Sequence, residues 1–303
     1  MSESSIEWTE HTWNPVRGCS RVSPGCDNCY AMRQARRTHG PGGAYEGLTV
    51  MRPKTAKRPG VDWSGVVRLV PELLAVPLRR RVPTVYFVNS MSDLFHERLR
   101  NEAIAAVFGV MAACPQHTFQ VLTKRAKRMR EWFEWYEGDS GAGASPIAAV
   151  HAALDRMPAT VTWNVGSHRV LRAREAPWPL PNVHLGVSCE NQAAADERLP
   201  YLRATPAAVR WVSAEPLLGS LSLDLSGIHW VVAGGESGPG ARACDVQWLR
   251  HLRDQCHLAD VPFFNKQLGS RPTIDGTSFD LQHTKGGEPS EWFEDLRVRE
   301  MPS

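Results

Sequence analysis

The stretch NVHLGVSCENQAAADERLPYLRATPAAVRWVS (182–213) decides the fold. It opens and closes on short apolar runs, NVHLGVS (182–188) and AVRWVS (208–213), nearly continuous in apolar character as parallel strands covered on both faces require. Between them the pattern predicts a helix over 191–203, so the segment reads as one βαβ unit.

Working outward, four further runs have the same character: VPTVYFV (82–88), TFQVL (118–122), IHWVVAG (228–234) and VPFFN (261–265). Helical periodicity lies between several of them. Ile104, Val107, Phe108 and Met111 follow i, i+3, i+4, i+7, and so do Met129, Trp132, Phe133 and Tyr136. A fourth helix starts after Asp245 as N-cap and turns Trp248, Leu249, Leu252 and Cys256 inward. The Gly-, Pro- and Ser-rich link from 214 to 227 is too short for a full helix. The only Gly-rich loop, GGESGPG (234–240), comes late, and no phosphate-binding glycine turn follows an early strand. The expected fold is therefore α/β, a partial parallel (β/α) barrel of about six strands, TIM-like. We expect one domain over 1–303, with a flexible insertion around 138–180 that begins GDSGAGASP.

Composition narrows the function classes. The chain has 303 residues, 42% apolar and 22% charged, which argues against disorder, collagen-like repeats and a disulfide-stapled miniature. No apolar run approaches the roughly 18 residues of a membrane span. The start, MSESSIEWTE, lacks the basic and apolar parts of a secretory signal, so a reducing cytoplasm is the expected setting and no membrane partner is expected. Net charge is +3, but residues 1–137 carry +7 and residues 138–303 carry −4. Of the 35 basic residues 29 are Arg, which fits phosphate recognition and equally fits a GC-rich genome.

Seven cysteines are present, three of them within GCSRVSPGCDNCYA (18–31) as Cys-x6-Cys-x2-Cys: Cys19, Cys26 and Cys29. Three thiolates on one loop can hold three irons of a cubane and leave the fourth open to an exogenous ligand. Ser23, Pro24 and Gly25 permit a tight turn between the first two, and Arg17 and Arg21 would offset thiolate charge. Zinc is the competing metal: Cys26 and Cys29 form half of a zinc ribbon, and His11 or His39 could complete a Cys3His site. The third reading is that these are small core residues.

Polar residues gather just past the strands: Asn89, Ser90 and Asp93; Thr123, Lys124 and Arg125; Cys189, Glu190 and Asn191; Ser213 and Glu215; Glu236 and Ser237; Lys266 and Gln267. In a parallel barrel such positions meet at the catalytic rim, although strand ends are also polar simply because loops are exposed. Ser188, Glu190, Glu215 and Glu236 are expected at this rim as hydrogen-bond acceptors, or else as solvated loop residues. Lys124, with its neighbour Arg125, and Lys266 are expected to meet a substrate phosphate or carboxylate. Cys256, on the inward face of its helix, reads as core. The run KRAKRMR (124–130), with RPKTAKR (52–58) and RRR (79–81), suits a nucleic-acid backbone, while Trp132 and Phe133 on the same helix read as core-facing.

The strings IEWTEHTWNPVRGCSRVSPGCDNCYA (6–31), VLTKR (121–125), LGVSCENQ (185–192), EPLLG (215–219), GGESGPGAR (234–242), LRDQC (252–256), VPFFNKQLG (261–269) and DLRVREMP (295–302) resemble the phage-type three-Cys-motif family, a radical-SAM-like family of unknown function. The likeness runs nearly end to end, apart from 138–180. It implies a [4Fe–4S] cluster on Cys19, Cys26 and Cys29, in a loop after the first strand near the N-terminus. It also implies S-adenosylmethionine on the open iron, with Ser188, Glu190, Glu215 and Glu236 accepting hydrogen bonds from its ammonium and ribose groups. It further implies a 5′-deoxyadenosyl radical as hydrogen abstractor, with Cys256, as the alternative to core, a hydrogen-atom donor, and a flavodoxin- or ferredoxin-type electron donor. Two features depart from the common radical SAM pattern. Six residues rather than three separate the first two cysteines, with Asn28 rather than an aromatic before Cys29. The Gly-Gly-Glu of Gly234, Gly235 and Glu236 follows a late strand instead of the second, so either Asn89, Ser90 and Asp93 replace its cofactor contact or the cofactor site is arranged differently. The substrate classes consistent with these readings are DNA, RNA or a nucleotide, or else a peptide or small metabolite. A zinc-stabilised nucleic-acid-binding module is the non-enzymatic alternative.

Overall fold

The computed structural model describes residues 4–55, 60–137 and 176–302. The expected insertion therefore lies outside the described residues up to position 175, as does the end of the RPKTAKR run from position 56. Among the described residues one seven-stranded sheet is formed by β1 (His11–Trp13), β2 (Val85–Val88), β3 (Thr118–Thr123), β4 (Val183–Ser188), β5 (Val209–Ala214), β6 (Trp230–Gly234) and β7 (Phe263–Gln267). The strands are hydrogen-bonded in chain order and run parallel, in register as His11 beside Tyr86, Tyr86 beside Phe119, and Val231 beside Val212 and Phe263. A doubly wound sheet reverses its order part way; an unbroken sequential order is that of a partial α/β barrel, as expected.

The main helices are α1 (Tyr30–Arg36), α2 (Asn101–Ala112), α3 (Ala126–Glu137), α4 (Gln192–Ala204) and α5 (Val246–Leu258). Two have side-chain caps: Asn191 accepts from Ala194 N at the start of α4, and Asp245 accepts from Gln247 N at the start of α5. Residues 215–229 form turns and coil, as their composition predicts. No helix among the described residues is long and apolar enough to cross a membrane.

The chain divides into two compact units. One comprises Met1–Arg21, Cys29–His184 and Pro206–Ala208; the other comprises Val22–Asn28, Leu185–Thr205 and Val209–Ser303. In the first, α2 is buried continuously from Ala103 through Ala112, beyond the stripe of Ile104, Val107, Phe108 and Met111, because the alanines, Gly109 and Val110 between them are also small or apolar. Aromatic rings fill the space beside it, with Phe108 stacked on Trp132 at 4.5 Å and Tyr86 on Phe119 at 5.6 Å.

In the second unit Trp211 and Trp230 lie 5.2 Å apart and are fully buried. Helix α5 packs through Val246, Leu249, Leu252 and Cys256, whereas Trp248, expected inward, is only half-buried because it stands at the margin of that stripe. The final segment runs along β7. Asn265 N donates to Val298 O at 2.8 Å, Glu300 N to Phe263 O at 3.0 Å, and Trp230 Nε1 to Glu300 O at 2.9 Å. Backbone groups of the last strand thereby find partners that an exposed edge would leave open.

Candidate functional site

In the first unit the chain leaves β1 at Trp13 and pairs Val16–Arg17 antiparallel with Arg68–Leu69 before reaching Gly18. Gly18 has φ +89°, and a Cβ there would fall 2.1 Å from Val66 O, so glycine alone fits this bend. Cys19 follows directly. Cys19 and Cys29 pack against a buried group of Ala31, Met32, Ala35, Tyr45, Leu48, Trp63 and Met91.

Arg125, just past β3, is the hub of the polar side of this loop. Its Nη1 donates to Asp93 Oδ2 at 2.9 Å and lies 4.0 Å from Cys19 Sγ. Nε donates to Glu97 at 2.8 Å, and Nη2 to Ser20 Oγ at 2.9 Å and Ser20 O at 3.1 Å. Asp93 is held in turn by Thr123 Oγ1 at 2.7 Å, Phe95 N at 3.0 Å and Lys124 N at 3.2 Å. Burial works against the Arg125 charge, but Asp93, then Cys19 and Glu97, outweigh it and raise its pKa. His96 bonds Ser20 Oγ through Nε2 at 2.9 Å; its own burial, then the Arg125 charge, push its pKa down.

Asn89 closes β2 with φ +60°, outside the usual range for a non-glycine residue, and accepts from Val16 N at 3.3 Å. Its buried Nδ2 has no hydrogen-bond partner among the described residues. Ser90 is tied to Asn14 at 3.2 Å, and its carbonyl accepts from Tyr30 OH at 2.5 Å. The structure thus brings Cys19, Asp93, Lys124 and Arg125 together, with Asp93 and Arg125 engaged by each other.

In the second unit Pro24–Cys26 forms a turn of 3-10 helix, and the late Gly-rich loop grips it. Asn28 Nδ2 donates to Glu236 Oε2 and to Gly240 O, both at 2.9 Å. Arg242 donates to Glu236 from its backbone N and Nε at 2.9 Å and from Nη2 at 2.5 Å, while its Nη1 reaches Pro24 O at 3.0 Å. Burial would raise the Glu236 pKa, yet hydrogen bonds from Arg242 and Asn28 bring it below the ordinary carboxylate value, so it is ionised at neutral pH. Gly235 permits the approach: a Cβ there would sit 2.2 Å from Leu268 O.

Glu190 is fully buried. Arg198 Nη1 donates to it at 2.9 Å and to Ser188 O at 2.7 Å, and Gly25 N lies 3.4 Å from its Oε1, at the long limit of a hydrogen bond. Glu215 pairs with Lys266 Nζ at 3.0 Å, and Gly234 lies against it, a Cβ there falling 2.9 Å from Glu215 Oε1. Cys256 lies on the core face of α5; burial, then Glu300, push its pKa to about 12, so the thiol stays neutral.

Sequence reasoning singled out Glu190, Glu236 and Arg125 but missed Asn28, Arg198 and Arg242 as their partners. Asn28 stood out only as a departure from a spacing pattern, and Arg242 only as the end of GGESGPGAR.

Cys19, Cys26 and Cys29 offer the donor type that both iron–sulfur clusters and zinc take. Three half-buried thiols lie on one loop, a guanidinium stands 4.0 Å from one sulfur, and the buried Ser23 Oγ between Cys19 and Cys26 has no partner among the described residues. No three His, Cys, Asp or Glu side chains among the described residues stand assembled as a metal-holding group.

Helix α3 carries the basic run on a face whose side chains have neighbours of their own. Trp132 and Phe133 are buried, as expected. Its basic residues are largely matched within the unit: Arg130 pairs with Glu134 at 3.1 Å, Lys127 lies 3.9 Å from Glu131, and Arg128 donates to Asn101.

A family model described as "Protein of unknown function (DUF5131)" matches residues 3–289. No curated protein and no solved structure matches the chain.

Proposed function

We propose that this chain, which belongs to the DUF5131 family, is a phage-type, radical-SAM-like enzyme that holds a [4Fe–4S] cluster on Cys19, Cys26 and Cys29 and acts on a nucleic acid or nucleotide, in modification or repair. The observation that carries the reading is the Cys-x6-Cys-x2-Cys segment that follows the first strand of a sequential parallel sheet, just past the short Val16–Arg17 pairing. With S-adenosylmethionine bound, such a group supplies one-electron hydrogen-abstraction chemistry.

The chain's own residues have separable tasks under this reading. Arg125 places a fixed positive charge beside Cys19, offsetting the negative charge of thiolate ligands. Ser20, itself held by Arg125, fixes the backbone after Cys19. Lys266 and Glu215 offer a paired cation and anion, each partly open to solvent, for a zwitterionic or phosphate-bearing ligand. Asn89 offers a buried amide donor at the end of β2. A flavodoxin- or ferredoxin-type partner would deliver electrons in a reducing cytoplasm.

Exposed Arg36, Arg37, Arg79, Arg81 and Arg100, together with the +7 charge of residues 1–137, support a phosphate-rich substrate. The charge matching along α3 favours a second reading, the same chemistry on a peptide or small metabolite. Affinity for single-stranded DNA or RNA separates the two: a steep fall with salt is expected for the first, and no binding at low salt would leave the second. For the cluster itself, Cys26→Ala is expected to lose all bound iron after anaerobic reconstitution; iron retained at the wild-type level would overturn the ligand assignment.

A further inference from the structure

We propose that Glu236 is a positioning residue, clamping the segment Val22–Asn28 so that Cys26 is presented in a fixed place, rather than an acceptor for a cofactor's ammonium group. This rests on the reading above only in taking Cys26 as a ligand.

Glu236 has little capacity left for a ligand. Its Oε2 accepts three N–H groups, from Asn28 Nδ2, Arg242 N and Arg242 Nε, each at 2.9 Å. Its Oε1 accepts Arg242 Nη2 at 2.5 Å, which completes a two-point pairing with the guanidinium. A cofactor ammonium would have to displace a bidentate arginine from a carboxylate that is only 6% exposed.

The same contacts account for the placement of Cys26. Glu236 reaches the loop directly at Asn28 and, through Arg242 Nη1, at Pro24 O at 3.0 Å. Cys26 lies midway between those two anchor points. Asn28 is held at a second point by Gly240 O at 2.9 Å, so its side-chain amide nitrogen spends both protons on the late loop. The clamp also gives a reason for Asn at the position before Cys29: an aromatic ring cannot donate two such bonds.

The experiment first removes the donor and leaves Glu236 and Arg242 in place. Asn28→Ala deletes both hydrogen bonds of the side-chain amide, and Asn28→Asp sets a carboxylate against Glu236 and the Gly240 carbonyl. Hydrogen exchange is measured on the metal-free protein. Residues 22–28 are expected to exchange about tenfold faster in both variants, and in Glu236→Gln, with α5 unchanged. Iron per chain after reconstitution should fall severalfold in all three. S-adenosylmethionine affinity should fall with it.

Native exchange of residues 22–28 in Asn28→Asp and Asn28→Ala would overturn the clamp. Native exchange and wild-type iron in Glu236→Gln, with S-adenosylmethionine binding about tenfold weaker, would instead make Glu236 a cofactor ligand and overturn the proposal. Because the exchange measurement uses metal-free protein, a wild type that takes up zinc or no metal refutes the cluster and leaves the clamp to be decided on its own data. Should Asn28→Asp fail to fold, Asn28→Ala removes the donor without adding charge and reads the same exchange.

Discussion

Replacing Arg125 by Met is expected to destabilise the fold by about 3–5 kcal/mol, read as a fall in the urea midpoint with an unchanged slope. The guanidinium is 4% exposed and its partner Asp93 is 8% exposed, so removing the cation leaves a carboxylate buried without its counter-ion. Thr123, Phe95 and Lys124 would still donate hydrogen bonds to Asp93, but they carry no compensating charge in those contacts. Two controls separate this from loss of packing. Glu97→Gln alters the exposed arm of the same hub, where the carboxylate is 60% exposed, and should change stability by no more than about 1 kcal/mol. Asp93→Asn combined with Arg125→Met removes both buried charges and should recover a large part of the loss. A single Arg125→Met variant within about 1 kcal/mol of wild type would contradict the assignment of Arg125 as the hub.

Gly18→Ala is expected to destabilise by about 2–4 kcal/mol, from the left-handed backbone together with a steric clash. The clash is with a backbone atom: the added methyl would stand 2.1 Å from Val66 O, which cannot rotate away. Relief therefore needs the Arg68–Leu69 pairing beside it to shift, and Cys19 with it. Gly47→Ala is the reference. Gly47 has φ +72° but open space around it, so its cost should be the conformational part alone, about 1 kcal/mol. Equal melting temperatures for the two variants would show that the close approach at Gly18 does not constrain the loop.

The fold was legible where a strand or helix carries its own pattern. Six strands coincide with apolar runs because each is buried on both faces and needs no partner to be recognised. Strand β1 carries no pattern of its own, since three residues, two of them the polar His11 and Thr12, are too few for periodicity to show. The capped helix after Asp245 was found from its cap, while Trp248 was misjudged because a stripe predicts a direction and not where its margin falls.

The site was legible only in its local part. Cys19, Cys26 and Cys29 announce themselves by spacing. The bonds that hold them join residues far apart in the chain: Asn28 to Glu236 across 208 positions, and Arg125 to Ser20 across 105. Nothing in either neighbourhood marks the other, so these partners became visible only once the strands were placed in order. The basic run after β3 shows the same limit from the other side. Its charges suit a backbone-tracking face, and the acidic neighbours Glu131 and Glu134 are legible as i,i+4 partners of Lys127 and Arg130, whereas the bond from Arg128 to Asn101 is not.

The most direct test of the central claim is an anaerobic one. The protein is purified without oxygen, iron, sulfide and zinc are quantified per chain, and dithionite with S-adenosylmethionine is then added while 5′-deoxyadenosine is followed. The account predicts about four irons per chain and release of the nucleoside. One zinc, no iron and no nucleoside would contradict it and identify a structural metal in a binding protein.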